Sequence, residues 1–234
     1  CRVQKNYHLY FMCIIIFTRM NHHFKRIVFF TVFVICCKFS GAQNYSNNYP
    51  QGYFRNPLDI PLQLVANFGA LRTNHYHMGL DIRTQGRENL PVYAAAEGYV
   101  SRIKIETYGF GNAIYITHPN GYTTLYAHLN SFFPVLAAYI KAKQYKDNSW
   151  AQDFEIPADL FPVTKGKFIA NSGNTGGSAG PHVHFEIRDS KTGNNLNPQL
   201  FGLNTADNQP PVIKNLFWYD RRFSTYQMAA KPVA

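Results

Sequence analysis

Short runs in which apolar and polar residues alternate dominate the chain from Leu58 onward. Four such runs lie at 99–105, 113–118, 122–128 and 182–188. Alternation with a period of two places every second side chain on the same face of a strand. Turn pairs such as Asn120-Gly121 favour antiparallel hairpins. The pattern predicts a mostly β domain, a compact antiparallel sheet or sandwich.

One segment departs from this alternation and predicts an inserted helix. It runs from Pro134 to Lys146, and its apolar residues Val135, Leu136, Tyr139 and Ile140 recur at helical spacing. We identify no heptad repeat, internal repeat or glycine-rich phosphate loop.

The two ends of the chain differ in residue composition from the domain predicted at 58–203. Residues 1–42 form a leader in which 20–42 resemble a signal peptide, with Lys25-Arg26, an apolar run from Ile27 to Cys37 and small residues up to Ala42. The apolar run is too short to cross a bilayer, so no stable transmembrane span is expected. Residues 43–57 predict a polar linker, and 204–234 predict the start of a further, truncated domain.

Composition excludes some classes of protein. The chain is 46% hydrophobic and 16% aromatic but 15% charged, which is typical of a globular protein. Its net charge of +10 includes six bases and no acid within residues 1–42, so the remainder carries 17 bases against 13 acids. No nucleic-acid partner is therefore predicted. All four cysteines lie in the leader, so the domain has no disulfide framework, no cysteine-ligated zinc and no cysteine nucleophile.

Two histidine motifs suggest chemistry. His182-Val-His184 alternates within a predicted strand, so both imidazoles leave the same face and can share a metal, or divide metal binding and proton transfer between them. The preceding glycine-rich stretch, 171–181, could approach a ligand closely with its backbone N–H groups and stabilise an oxyanion. Two histidines on an exposed strand face are the structural alternative.

The second motif is His77-Met-Gly-Leu-Asp81, which predicts a turn into a strand. Gly79 would let the imidazole and the carboxylate converge. Two imidazoles and one carboxylate form a set that zinc accepts, with a fourth position left for water. A capping Asp81 beside an ordinary loop histidine is the alternative. His128, in Tyr126-Ala-His128-Leu129, gives no signal on its own.

Together, and in this order, these segments resemble the lysostaphin/LytM-like zinc metalloendopeptidases that hydrolyse peptidoglycan. The resemblance covers about residues 58–203. It implies that His77, Asp81 and His184 bind one zinc ion. It also implies that His128 and His182 transfer the proton and stabilise the transition state, and the sequence does not indicate which histidine has which role.

Further residues take their interpretation from this resemblance. Glu186 could orient His184 or form a surface salt bridge, and Arg72 could contact substrate or hold a loop. His75 and His118 are expected to be structural. The stretch between His128 and the glycine-rich loop, which includes the helix from Pro134 and residues 150–162, is longer than is usual in the family. We expect it to form a wall that narrows the cleft, with a plain surface insertion as the alternative.

The expected function is that of an exported enzyme, periplasmic, in the cell envelope or extracellular, that cleaves peptidoglycan cross-bridges. Three alternatives stay open: an inactive relative that binds the wall and activates other hydrolases, a protease acting on proteins, and a sugar-binding module. The bond that is cleaved and the oligomeric state are not indicated by the sequence.

Overall fold

The computed structural model describes residues 21, 49–72, 75–205, 212–213, 217–218 and 231–232. Apart from Asn21, these residues belong to one unit, Tyr49–Ala234. The predicted signal peptide, with the exception of Asn21, and most of the predicted segment 204–234 lie outside the described residues.

Fourteen short strands account for most of the regular secondary structure among the described residues. They are β1 (Leu64–Ala66), β2 (Leu80–Arg83), β3 (Pro91–Tyr93), β4 (Gly98–Ile105), β5 (Asn112–Thr117), β6 (Tyr122–Ala127), β7 (Leu129–Phe132), β8 (Gln152–Glu155), β9 (Pro162–Val163), β10 (Phe168–Ser172), β11 (His182–Asp189), β12 (Asn195–Leu196), β13 (Phe217–Trp218) and β14 (Lys231–Pro232). A 3-10 helix follows β12 at Pro198–Phe201.

The strands form one large sheet and two small ones, and every pairing among the described strands is antiparallel. The large sheet has the order β1-β2-β11-β6-β5-β4-β8, with β12 paired to β11 and β9 paired to β4. The second sheet has the order β3-β10-β7, and β13 pairs with β14. The predicted mostly β, antiparallel fold is confirmed.

The alternation seen in the sequence separates the two faces of the large sheet. On β11, Val183, Phe185 and Ile187 are fully buried in the main core, where residues of the second sheet such as Val92 and Ile169 join them. The intervening residues of β11 face the other way, as a period of two requires. One face of the large sheet therefore packs in the main core, and the opposite face can carry polar side chains.

The predicted helix is present as α1 (Pro134–Asp147), one residue longer than expected. Pro134 begins it, where the missing N–H costs nothing, and Asn148 ends it in the left-handed region at φ 47°. Leu136 and Ile140 are its buried residues. Within the described residues, no helix is long and apolar enough to span a membrane.

The predicted linker at 43–57 extends too far into the domain. Phe54 is only 3% exposed within the main core, and Tyr49 and Tyr53 pack against that core. Phe54 also meets the ring of Phe201 with their centroids 5.4 Å apart. Aromatic burial therefore begins the domain no later than residue 49, in a segment whose proline and glycine content indicated a tether.

His118 has the structural role predicted for it. Its Nδ1 donates to the Glu97 carbonyl at 2.7 Å, and its Nε2 lies 2.8 Å from the Thr124 hydroxyl. Burial lowers the pKa of His118 below its usual value, against the opposing effect of the Glu97 carbonyl. The folded protein therefore keeps this imidazole neutral at a pH where the unfolded chain already binds a proton.

Replacing His118 with glutamine is expected to make folding less sensitive to acid. In the wild type, the unfolding free energy falls as the pH drops below about 6.5, because the unfolded chain takes up a proton that the folded state resists. We expect His118→Gln to cost about 1–3 kcal/mol at pH 7 through lost buried hydrogen bonds, and its deficit to shrink between pH 7 and pH 5. Denaturant titrations of both proteins across this range measure the difference, and a deficit that grew in acid would contradict the assignment.

Candidate metal centre

Three side chains converge on the polar face of the large sheet. Asp81 Oδ1 lies 2.9 Å from His77 Nε2 and 2.9 Å from His184 Nδ1. The two imidazole nitrogens are 3.0 Å apart. All three residues are buried, and they form the one group of potential metal ligands found among the described residues. The sequence-predicted set His77, Asp81 and His184 is thus brought together.

Strand register accounts for this convergence. In the antiparallel pair β2–β11, Asp81 stands directly opposite His184, and such cross-strand neighbours lie on the same face. His77 arrives from the turn before β2, as predicted, and that turn needs Gly79. A Cβ atom at Gly79 would lie 2.6 Å from the Phe185 carbonyl oxygen and 2.9 Å from His184 Cε1. Glycine therefore permits the close approach that carries His77 to the site.

Glu186 contacts the nitrogen of His184 that faces away from the centre. Its Oε1 accepts from His184 Nε2 at 2.9 Å, while its Oε2 accepts from Arg188 at 2.6 Å and from Asn195 at 2.7 Å. The Glu186 residue is 1% exposed, so the interpretation as a surface salt bridge is wrong and the orienting one agrees with the contacts. Because a carboxylate accepts the proton on Nε2, His184 presents the lone pair of Nδ1 to the centre.

The other imidazoles are fixed by backbone carbonyls in the same manner. His77 Nδ1 donates to the Asn67 carbonyl at 2.8 Å, His128 Nδ1 to Thr175 at 2.8 Å, and His182 Nδ1 to Gly180 at 2.8 Å. A carbonyl oxygen can only accept, so each ring carries its proton on Nδ1 and leaves the Nε2 lone pair for the site.

His128 and His182 lie side by side at the edge of this centre. Their ring centroids are 4.6 Å apart, and His182 Nε2 is 3.5 Å from Asp81 Oδ1. His128 follows β6 with a φ of 59°, a left-handed conformation that is uncommon outside glycine. That conformation, together with the bond from its own N–H to the Phe110 carbonyl, turns the His128 ring toward His182.

The electrostatics of the centre favour a positive charge. Burial alone would raise the pKa of Asp81, but its close contacts with the imidazoles of His182, His184 and His77 hold that pKa far below its usual range. Burial disfavours protonated His184, yet Asp81 and Glu186 outweigh this and raise its pKa. For His128, burial and the neighbouring His182 lower the pKa to about 4. The centre thus holds a charged carboxylate, while His128 stays neutral near neutral pH.

The chemistry of the donors fits a divalent cation. In the tautomers set by their outer partners, His77 Nε2, His184 Nδ1 and Asp81 Oδ1 all present lone pairs to one another at 2.9–3.0 Å. Such atoms repel unless a proton or a cation lies among them. Tetrahedral zinc with bonds near 2.0–2.1 Å needs its ligands about 3.3 Å apart, close to the spacing found.

A cavity of about 1200 Å³ opens over the centre, and its wall includes all five predicted site residues (His77, Asp81, His128, His182 and His184). Arg72 also lines it and donates from Nη2 to Asp81 Oδ2 at 3.0 Å, so it contacts the carboxylate rather than only a loop. No residue between His128 and Gly177 lines the cavity. The expectation that this longer stretch forms a wall of the cleft is therefore wrong, because its helix α1 instead buries Leu136 and Ile140 in the main core.

The glycine-rich loop supports the histidine pair. It supplies the Thr175 and Gly180 carbonyls that orient His128 and His182. One of its backbone groups, the Gly177 N–H, donates to the Gly109 carbonyl at 2.9 Å. Position 176 must be glycine for the loop to contact Gly111 closely, since a Cβ atom there would lie 2.6 Å from Gly111 Cα. The loop is therefore a support for the histidine pair.

Sequence reasoning missed several supporting groups. The Asn67 and Thr175 carbonyls are backbone atoms, which no residue pattern identifies. Asn195 donates from Nδ2 both to Glu186 and to the Met78 carbonyl at 3.0 Å, and so ties the first motif to β11. Its position in a polar stretch of several asparagines gave no signal.

The residues 75–145 match the model of peptidase family M23. This range contains His77, Asp81 and His128, and the fold adds His182 and His184 from beyond it to the same centre. This part of the chain is therefore similar to peptidase family M23.

Named relatives agree with this similarity. The chain is 34% identical over 137 residues to the DD-carboxypeptidase/endopeptidase Mpg of Neisseria meningitidis, in an alignment that covers 58% of this chain and 25% of that protein. It is 28% identical over 155 residues to the peptidoglycan DD-endopeptidase ShyA of Vibrio cholerae, covering 62% and 30%. The chain therefore spans about a quarter to a third of these relatives' length.

One solved structure aligns with about two thirds of the chain. The catalytic domain of the prophage-encoded M23 protein EnpA from Enterococcus faecalis aligns with a TM-score of 0.48 and 21% identity, over 64% of this chain and 99% of that one.

Glu186→Gln is expected to weaken metal binding while the protein stays folded. The amide keeps a carbonyl oxygen for His184 but loses the charge that Arg188 and Asn195 also use. We expect zinc affinity, measured by competition with a chromogenic chelator, to fall about 10- to 100-fold. Glu155→Gln, at an exposed position of β8, is the control and should leave the affinity unchanged. Equal affinities for the wild type and Glu186→Gln would refute the orienting role.

Proposed function

We propose that this protein is an exported zinc-dependent endopeptidase that hydrolyses peptide bonds in peptidoglycan cross-bridges. The observation that carries the proposal is the convergence of His77, Asp81 and His184 on one point at the base of an open cavity. The match of residues 75–145 to peptidase family M23 supports a peptidase. Relatives named for peptidoglycan DD-endopeptidase activity support the choice of substrate.

One zinc ion would be held by His77 Nε2, Asp81 Oδ1 and His184 Nδ1. Three protein ligands are typical of a catalytic rather than a structural zinc site, since a fourth position stays open. When bound, zinc supplies Lewis-acid polarisation of a carbonyl and lowers the pKa of water to near 7. The carboxylate Glu186 and the Asn67 carbonyl keep the two imidazole ligands in the tautomers that this binding needs.

His128 and His182 are suited to move the proton during hydrolysis. Each has its Nδ1 fixed by a carbonyl and its Nε2 available at the cavity. The low pKa of His128 keeps it neutral, and so able to accept a proton, down to pH values well below 7. An imidazole that has taken the proton can return it to the leaving amine and can donate to a developing oxyanion. We assign these steps to the pair jointly.

The envelope is the proposed place of action. The signal-peptide pattern in 20–42 supports export, and a peptidoglycan substrate requires it. The excess of bases in residues 43–234 suits an anionic wall polymer.

Digestion of isolated sacculi tests the proposal. The purified protein should release peptide fragments whose masses correspond to cross-bridge cleavage. Chelator should abolish the release, and added zinc should restore it. Release of sugar fragments, or activity on casein with none on sacculi, would overturn the assignment of substrate. Zinc-loaded, folded protein that cleaves neither would favour the non-enzymatic alternative.

A further inference from the structure

The cavity over the metal centre contains one cation that has no acidic partner. Besides the imidazoles, five charged side chains line it: Arg72, Asp81, Arg83, Lys104 and Glu106. Arg72 is paired with Asp81 at 3.0 Å, and Lys104 with Glu106 at 2.8 Å. Within the described part of the chain, no carboxylate lies within ion-pair distance of Arg83.

Arg83 sits beside the catalytic residues on the same face. It is the last residue of β2, two positions after Asp81, and side chains at this spacing leave a strand on the same side. In the register of the sheet it stands opposite His182. Two strand residues span about 7 Å, so Arg83 lies about two extended residues of a bound peptide away from the metal centre, on the His182 side.

The guanidinium of Arg83 is held at one edge. Its Nε donates to the Leu64 carbonyl at 3.2 Å, while the side chain stays exposed to the cavity. No hydrogen bond of its two terminal nitrogens is found among the described residues. Two terminal N–H groups held in this way match the two oxygens of a carboxylate, which a guanidinium binds with paired, charge-assisted hydrogen bonds.

We propose that Arg83 binds a free carboxylate of the substrate peptide within about two residues of the scissile bond. This inference rests on the proposed function, because it assigns a specificity residue to the same cavity. The carboxylate can be the C-terminus of the peptide or the side-chain carboxylate of one of its residues. Both present the same chemistry to Arg83.

Matched substrates distinguish these sources. A soluble cross-linked muropeptide is compared with two derivatives, one amidated at the terminal carboxylate and the other at the side-chain carboxylate next to the cleaved bond. The zinc-loaded wild type should cleave the parent peptide about 10- to 100-fold better, in kcat/KM, than the derivative that lacks the recognised carboxylate. The other derivative should behave like the parent and so identify the source.

Variants at Arg83 test the assignment. Arg83→Gln should raise KM for the parent and bring its kcat/KM close to that of the discriminated amide. Arg83→Lys should retain part of the preference. Arg102→Gln is the control, because Arg102 pairs with Asp153 outside the cavity and should keep full discrimination.

Two results would overturn the inference: a wild type that cleaves all three peptides equally, or an Arg83→Gln variant that still discriminates. A wild type that cleaves none of them contradicts the proposed function instead. In that case calorimetric binding of the parent peptide still decides about Arg83, since binding must weaken about 10-fold or more in Arg83→Gln and remain in Arg102→Gln.

Discussion

His184→Ala is expected to lose its zinc and to lower the hydrolysis of sacculi by about 10³-fold or more. His184 Nδ1 is one of three donors that meet within 3.0 Å, and its removal leaves Asp81 and His77 as a pair that cannot hold the ion at working concentrations. The expected loss corresponds to the several kcal/mol of charge stabilisation that a catalytic metal supplies.

Two measurements on the same preparation check this result. Elemental analysis should find about one zinc per wild-type chain and almost none in His184→Ala, and sacculus digestion should fall in parallel. His118→Gln is the matched control, since it also removes a buried imidazole but lies outside the cavity, and it should retain zinc and activity below its melting temperature. A His184→Ala protein that stayed active without zinc would contradict the metal assignment.

The second large effect concerns the histidine pair. His128→Ala and His182→Ala are each expected to retain zinc yet lose about 10²- to 10⁴-fold in kcat, because proton transfer by a positioned group contributes that much. The double variant should lose far less than the product of the single effects, since residues that act as a unit are not additive. Steady-state kinetics with zinc-saturated proteins measure these losses.

The pH profile distinguishes this role from metal binding. His128 must be neutral to accept a proton, and burial keeps its pKa at about 4. A cation bound nearby would lower this pKa further. The fall of wild-type kcat/KM in acid that is caused by protonation of His128 should therefore be centred well below the ordinary imidazole pKa of about 6.5. An acid limb centred near 6.5 that disappeared in His128→Ala would be incompatible with this account.

Local pattern was sufficient to predict much of the site. Alternation around His182-Val-His184 fixed which side chains share a face, and the buried Val183 and Phe185 leave both imidazoles on the polar face. The need for Gly79 was also visible, because a histidine and a carboxylate four residues apart must turn sharply if they are to meet in a strand rather than on a helix.

Other features depend on contacts between distant segments, which cannot be predicted from the pattern of a single sequence. The opposition of Asp81 and His184 follows from the pairing of β2 with β11, across more than a hundred residues. The prediction of a linker over 43–57 was wrong in its extent, because the ring of Phe54 packs against the rings of Tyr122 and Phe201. Similarly, the helix at 134–147 could be predicted, but the side of the sheet on which it packs could not.

The most direct test of the central claim is a crystal structure of the zinc-loaded protein with anomalous data on both sides of the zinc edge. The account predicts one strong peak per chain, bonded to His77 Nε2, Asp81 Oδ1 and His184 Nδ1, with water at the remaining position. A peak at other residues, or a fourth protein side chain filling that position, would contradict it.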